Sequence, residues 1–247
     1  MGNAQDQTTA SLPTAGKIAT HSRLSPEQIA ALQAIDTPTI CNAIEKFGVR
    51  SEVNGFMGMD THCLTPEFGT MIGFAVTVTV DSTTPTVPKS NEARAAWIRA
   101  MESSPKPCVL VLKDIGPQPR KSAHLGEVMG TMAKRLGVVG VVTDGGLRDI
   151  LELKRLGLHL FCAGVVPAHG NPRLLEVNVP VELDGVLIRP GDLLHGDING
   201  VTTIPLAIAG QVAAAAIRHR EAEAELLAYV NSPGFSVEGL IRRTLKH

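Results

Sequence analysis

The chain has 247 residues, of which 44% are hydrophobic and only 3% aromatic, and its formal net charge is −1 at pH 7. This length and apolar content suffice for one domain with an aliphatic core. The balanced charge and scarce aromatic rings argue against a protein that binds DNA or RNA. The four cysteines are widely spaced and form no CxxC motif, so they indicate no disulfide framework. The sequence also has no HExxH motif, so neither its cysteines nor its histidines indicate a zinc site.

Residues 1–22 are polar and contain no apolar segment, which predicts a disordered N-terminal arm rather than a signal peptide. No apolar run reaches the ~18 residues that are needed to cross a bilayer. We therefore expect a soluble, cytoplasmic protein with no membrane partner.

Two helices are predicted to open the ordered part of the chain. Ser25 followed by Pro26 is typical of a helix start, and the apolar residues that follow share one face. Residues 36–39 are expected to end this helix before a second one over 40–47.

Helices and strands then alternate. A helical pattern over 128–136 ends at Gly137, and a second begins at Leu147 and ends at Gly157. Residues 207–230 form a third pattern, rich in Ala and Glu. Short apolar or β-branched runs predict strands at 73–80, 108–113, 138–142, 160–165, 186–188, 193–196 and 201–204, with tight turns at 183–186 and 189–192. This order predicts a layered α/β/α-type single domain with a mixed central sheet, not a Rossmann fold.

Two turns in the middle of the chain carry the residues best suited to chemistry. The first is Gly126-Glu127-Val128-Met129 at a helix start, where unpaired N–H groups could hold a carboxylate. The second ends in Arg148-Asp149. Arg148 offers a planar fork for a carboxylate, and Asp149 offers hard oxygen ligands for Mg²⁺ or Mn²⁺.

The same residues also permit purely structural interpretations. Glu127 could complement the helix dipole, Asp144 could be an N-cap or turn residue, and Arg148 with Asp149 could be a solvated surface pair. A dinucleotide site is disfavoured because the glycine-rich turn lacks the GxGxxG pattern.

The sequence resembles the class II pyruvate aldolases in one motif, which consists of the acidic Glu127, twenty intervening positions and the pair Arg148-Asp149. These enzymes cleave 4-hydroxy-4-methyl-2-oxoglutarate and 4-carboxy-4-hydroxy-2-oxoadipate, and they share the RraA-like fold of regulators of ribonuclease E activity. The resemblance extends from about residue 24 to about residue 217, through segments at 36–40, 73–78, 190–192 and 197–201.

The resemblance implies a swivelling β/β/α domain over 23–217. The helical pattern that continues beyond it predicts a C-terminal helical extension over 218–247. It implies that the backbone of residues 126–129 and Arg148 bind the pyruvyl part of the substrate, that Asp149 ligates Mg²⁺ or Mn²⁺, and that Glu127 holds metal-bound water. Arg148 and Glu127 are then the catalytic residues. A homotrimer, or a hexamer of two trimers, with sites at subunit boundaries is also implied.

The implied reaction is retro-aldol cleavage of a 4-hydroxy-2-oxo acid through a metal-stabilised pyruvate enolate, with decarboxylation of oxaloacetate as a side activity. The base is water near Glu127 or an acid from a neighbouring subunit. Two alternatives stay open: a non-catalytic regulator that binds a ribonuclease, and a related lyase, hydratase or decarboxylase for another oxo acid or sugar acid.

The basic segment 116–125 precedes the first motif turn. In it, His124 could touch the distal end of the substrate, and Arg120 and Lys121 could recognise a second carboxylate. Alternatively, all three residues could belong to a solvated loop.

Overall fold

A mixed β-sheet forms the centre of the computed structural model, which describes residues 24–85 and 88–245. The predicted arm at 1–22 lies outside the described residues. The helices are α1 Pro26–Gln33, α2 Thr37–Glu45, α3 Asn91–Ser103, α4 Glu127–Arg135, α5 Ile150–Arg155, α6 Ala209–Val230 and α7 Val237–Thr244. The strands are β1 His62–Cys63, β2 Met71–Asp81, β3 Cys108–Asp114, β4 Ala123–Leu125, β5 Val138–Thr143, β6 Gly146–Leu147, β7 His159–Cys162, β8 Gly164–Val165, β9 Arg173–Val177, β10 Val181–Leu183, β11 Val186–Ile188, β12 Leu193–Asp197 and β13 Gly200–Ile204.

The central sheet has the strand order β1-β7-β5-β3-β2-β12-β13, and β9 also pairs with β2. Strands β2, β3, β5 and β7 are parallel neighbours, whereas β1, β9, β12 and β13 pair antiparallel. The parallel strands read as continuous apolar runs because both of their faces are covered. The predicted fold class, an α/β domain with a mixed central sheet, is confirmed.

Three apolar clusters surround the sheet. On one face, α3, α4 and α5 pack over alternate residues of β2, β3 and β5. On the other face, the β10–β11 hairpin covers the remaining residues of the same strands. Helices α1, α2 and α6 pack at the β12–β13 end. The sheet therefore lies between a helical layer and a β-hairpin layer.

Local capping explains where the first two helices begin. The Ser25 hydroxyl accepts from the backbone N–H of Gln28, and the Gln28 side chain accepts from the Ser25 N–H, so the predicted start of α1 is confirmed. The second helix begins at Thr37, not at residue 40. Asp36 is the N-cap, and its carboxylate accepts a hydrogen bond from the backbone N–H of Thr39. Pro38 lies in the first turn, where a backbone N–H has no acceptor within the helix.

Most predicted strands agree with the structure to within two residues, but the region 146–165 differs. Residues 146–147 form β6 and the following helix, α5, begins at Ile150. The run at 160–165 forms two strands, β7 and β8, that belong to different sheets. Residue 218, the predicted start of the C-terminal extension, lies inside α6, so this division of the chain stays a prediction. None of the described helices combines the length and apolarity of a membrane span.

Candidate functional site

A second, three-stranded sheet brings the two predicted motif turns together. Its strand order is β4-β6-β8, and all three strands are parallel. Strand β4 runs into the start of α4, and β6 runs into Arg148-Asp149 before α5. The backbone N–H of Arg148 donates to the carbonyl oxygen of Leu125 at 3.1 Å, which joins the two strand ends. Because parallel strands end at one edge of a sheet, both turns lie at the same edge.

The Asp149 carboxylate contacts both turns. Its Oδ2 atom accepts a hydrogen bond from the backbone N–H of Glu127 at 2.9 Å and lies 3.7 Å from Nε of Arg148. A Cβ atom on Gly126 would lie 2.4 Å from this oxygen and 3.0 Å from Nε of Arg148. Glycine at position 126 is therefore required by the close approach of the acid and the arginine.

The start of α4 presents hydrogen-bond donors to this edge. Gly126 is the N-cap and supplies no side-chain acceptor. Among the described residues, the amides of Val128 and Met129 have no acceptor, whereas the Glu127 amide is occupied by Asp149. Helix N-termini carry partial positive charge. Together with Arg148, whose side chain is 37% exposed, these amides can bind a carboxylate from solvent.

Asp149 has an unusual backbone conformation. Its φ and ψ are 54° and 45°, in the left-handed helical region that non-glycine residues rarely adopt. It is the N-cap of α5, yet its side chain does not cap that helix and instead reaches the Glu127 amide. Strain of this kind is concentrated at functional sites.

The acidic residues suit a metal that is shared with a ligand. Within residues 24–85 and 88–245, no three His, Cys, Asp or Glu side chains form a closed metal cage. Mg²⁺ is commonly bound through only one or two carboxylates and completes its shell with water and substrate oxygens. The Asp149 side chain is 37% exposed, and the exposed Glu127 carboxylate has no partner among the described residues. This donor set fits such a site.

All predicted site residues line one cleft of about 100 Å³. The structure thus brings Gly126, Glu127, Val128, Met129, Arg148 and Asp149 together, and it adds His124, His169 and Pro172 to the lining. Their roles stay predictions, but their proximity is a structural fact.

A buried polar network lies behind the cleft. His124 Nδ1 is 2.6 Å from the Thr143 hydroxyl, and Nε2 is 2.9 Å from Asp114 Oδ2. The Thr143 hydroxyl donates its hydrogen to the Leu112 carbonyl at 2.9 Å, so it accepts from His124. Both ring nitrogens of His124 are therefore placed to donate, Nδ1 to Thr143 and Nε2 to Asp114.

The environment of Asp114 supports this assignment. Burial alone would raise the pKa of Asp114, but hydrogen bonds from His124 and the Gly116 amide, with the His124 charge, hold it below its ordinary value. Gly145 accommodates the imidazole, since a Cβ there would lie 2.1 Å from it.

Sequence reasoning singled out His124 but missed Asp114 and Thr143. A signal existed, because these residues end two neighbouring parallel strands, β3 and β5. The other basic residues of segment 116–125 do not line the cleft: Arg120 pairs with the exposed Asp60 at 2.6 Å, and Lys121 is exposed.

Comparisons with known proteins agree on one family. The model of the RraA-like family, described as Aldolase/RraA, matches residues 37–203. A relative from Halalkalibacterium halodurans, provisionally named a 4-hydroxy-4-methyl-2-oxoglutarate aldolase, is 39% identical over 121 residues, which are 49% of this chain and 57% of the relative. The chain therefore spans little more than half the length of that relative.

Two solved structures have a similar fold. Streptomyces coelicolor RraAS2, described as an unusual member of the RNase ES inhibitor RraA protein family, superposes with a TM-score of 0.65 and 25% identity over 82% of this chain and 96% of its own. An uncharacterized protein from Pseudomonas syringae pv. tomato has a TM-score of 0.70 and 21% identity over 97% of this chain and 100% of its own.

Proposed function

Because the chain belongs to the RraA-like family, we propose that it is a divalent metal-dependent lyase, a class II pyruvate aldolase that cleaves a 4-hydroxy-2-oxo acid and releases pyruvate. The observation that carries this proposal is the meeting of the α4 amides, Arg148 and Asp149 at one cleft. A small 2-oxo acid that chelates a metal needs hydrogen-bond donors for its carboxylate. It also needs a hard carboxylate ligand that holds the metal.

The chain's own residues have distinct tasks in this proposal. The free amides of Val128 and Met129 and the guanidinium of Arg148 bind the pyruvyl carboxylate. Asp149 holds Mg²⁺ or Mn²⁺, with Glu127 nearby to position water. When bound, the divalent metal supplies Lewis-acid stabilisation of negative charge that develops on the substrate. Arg148 adds a fixed positive charge at the same place.

Proton transfer from the C4 hydroxyl is assigned to water held by Glu127, whose carboxylate is exposed at the cleft. Cleavage of the C3–C4 bond then leaves the enolate of pyruvate. Loss of CO₂ from oxaloacetate leaves the same enolate, so oxaloacetate decarboxylation is part of the proposal. Assembly as a homotrimer or hexamer, implied by the resemblance, is proposed with it.

The test is pyruvate release, coupled to lactate dehydrogenase. The substrates are 4-hydroxy-4-methyl-2-oxoglutarate, 4-carboxy-4-hydroxy-2-oxoadipate and oxaloacetate, each with Mg²⁺, with Mn²⁺ and with EDTA. Release that depends on the metal supports the proposal, and the rates rank the substrates. No release from any of the three, with Mg²⁺ binding intact, would reject these substrates and favour another oxo acid or the regulator.

A regulator of a ribonuclease is the second candidate, favoured by the likeness to RraAS2 at 25% identity over 82% of this chain. It predicts inhibition of a ribonuclease E-type enzyme by the full chain. Arg148→Ala separates the two functions, because it would remove lyase activity and leave inhibition through another surface unchanged.

A further inference from the structure

A second cavity of about 220 Å³ adjoins the cleft beneath α3. His124, Met129 and Pro172 line both spaces, so the cavity and the cleft lie side by side. Neither the motif residues Glu127, Arg148 and Asp149 nor the basic pair Arg120 and Lys121 line the cavity.

The lining of the cavity combines an apolar body with two cations. The apolar residues of its lining are Val80, Trp97, Met129, Pro172 and Leu174. Lys89 and Arg94 also line it; both are exposed, and neither has an ion-pair partner in the part of the chain that the structure describes. Unpaired cations beside an apolar wall favour a ligand that is apolar and ends in an anion.

Trp97 belongs to the apolar part of this lining, and it lies on α3. Its side chain is 1% exposed, and its Nε1 atom is itself buried without an acceptor among the described residues. The indole therefore contributes packed wall rather than a hydrogen bond to a ligand. A ligand in the cavity would be held by the two cations and by apolar contacts.

We propose that this cavity binds a carboxylate-bearing apolar group the size of a six-membered ring, with the carboxylate held by Arg94 and Lys89. An apolar cavity of about 150 Å³ holds benzene, so about 220 Å³ accommodates a substituted ring. As the subsite for the distal half of a substrate the cavity rests on the proposed lyase function, but ligand binding to it does not.

The cavity thus selects a larger C4 substituent than a methyl or carboxymethyl group. In the retro-aldol direction, the group that occupies it leaves as the carbonyl product. In the cleft, the pyruvyl end is bound independently by the α4 amides and Arg148.

Fluorescence of Trp97, the single tryptophan of the chain, tests binding without turnover. The probe is cyclohexanecarboxylate, which does not absorb at the excitation wavelength, titrated into the full chain in EDTA. We expect a saturable change and weaker binding of the neutral cyclohexanecarboxamide. Arg94→Gln is expected to raise Kd about tenfold, whereas Arg99→Gln, an exposed position on α3 that does not line the cavity, leaves it unchanged.

Absence of a saturable change, or equal Kd values for the Arg94→Gln and Arg99→Gln variants, would overturn the proposal. Pyruvate release is measured separately on a 4-hydroxy-2-oxo acid that carries a carboxycyclohexyl group at C4. Binding at Trp97 without pyruvate release from any substrate rejects the lyase function but keeps the cavity. Pyruvate release without binding at Trp97 keeps the lyase function and rejects the cavity.

Discussion

The Asp149 carboxylate accepts a hydrogen bond from the backbone amide of Glu127, 22 positions away in sequence and 2.9 Å away in space. One acid therefore neutralises the positive end of α4 while it lies beside Arg148. A substrate carboxylate that binds the remaining α4 amides adds a second negative charge at this helix start. A divalent cation between the two carboxylates would relieve their repulsion, which couples metal binding to substrate binding.

Asp149→Asn should abolish most pyruvate release and leave the fold intact. Asparagine tolerates the left-handed backbone conformation of position 149 and can still accept from the Glu127 amide, but it loses the charge that holds the metal. We expect kcat/KM to fall by about 10³-fold, since the metal supplies several kcal/mol of charge stabilisation. The measurements are pyruvate release and Mg²⁺ affinity, with circular dichroism for the fold.

Arg148→Ala should lower pyruvate release similarly but weaken Mg²⁺ binding less. Glu152→Gln on α5, whose side chain pairs with Arg155 outside the cleft, is the matched control and should retain activity. Near wild-type, metal-dependent turnover in either site variant would remove that residue from the catalytic site.

Gly126→Ala should lower pyruvate release through geometry alone. The backbone φ of −139° suits alanine, but the new Cβ would lie 2.4 Å from Asp149 Oδ2, so the carboxylate must move. We expect kcat/KM to fall about 10²-fold, the effect of roughly 1 Å of misplacement, with little change in the free energy of unfolding.

Gly234→Ala is the control for this substitution, because its Cβ would meet nothing closer than 3.8 Å. If both alanine variants kept full activity, the contact between Gly126 and Asp149 would not matter for turnover.

Sequence spacing was sufficient to predict that Glu127 would meet Arg148 and Asp149, because a helix and a strand between two turns return the chain to the same sheet edge. It did not predict the strands that hold the turns. Strands β4, β6 and β8 have two or three residues each, too few to display a periodic pattern. Such strands depend on pairing with distant segments, so the local pattern predicts a helix from Leu147 where the structure has the end of β6.

The cavity beneath α3 could not be predicted from the sequence for a related reason. Trp97 lies on α3, His124 on β4 and Leu174 on β9, and no local pattern links them. Only the packing of these elements on the end of β2 shows that an indole ring and two cations line one space.

Asp114→Asn should destabilise the fold more than any exposed charge substitution. Asp114 accepts from His124 through one oxygen and from the Gly116 amide through the other. Asparagine can accept only through its carbonyl oxygen, so one buried donor would face an N–H group. We expect the free energy of unfolding to fall by about 3–5 kcal/mol, as when one partner of a buried ion pair is removed, measured by urea denaturation.

Lys113→Gln is the matched control on the same strand. It removes the partly exposed ion pair between Lys113 and Asp144, and such pairs contribute about 1 kcal/mol or less. A similar loss of stability in the two variants would contradict a stabilising role for the buried contact between His124 and Asp114.

Asp36→Asn should remove an acid-sensitive part of the stability. Burial would raise the pKa of Asp36, but hydrogen bonds from Arg220 and Thr39 and the Arg220 charge outweigh it and lower the pKa from 3.8 to about 2. The folded state therefore favours the ionised form. Its stabilising contribution is present above about pH 4, the pKa of an unperturbed aspartate, and is lost as the pH falls through about 2.

The side chain of Asp36 is 41% exposed, so solvent screening limits this contribution to about 1 kcal/mol. Asparagine keeps an acceptor for the α2 N-cap but removes the charge that links α2 to α6. At pH 7 the variant should be less stable than wild type by this amount, and the difference should shrink between about pH 4 and pH 2.

Urea denaturation at a series of pH values measures that difference, and Glu221→Gln is the control. Glu221 follows Arg220 on α6, is exposed and has no side-chain partner among the described residues, so its substitution should leave stability nearly unchanged at every pH. A difference between wild type and Asp36→Asn that stayed constant down to pH 2 would mean that helix capping, rather than the charge of Asp36, stabilises the contact between α2 and α6.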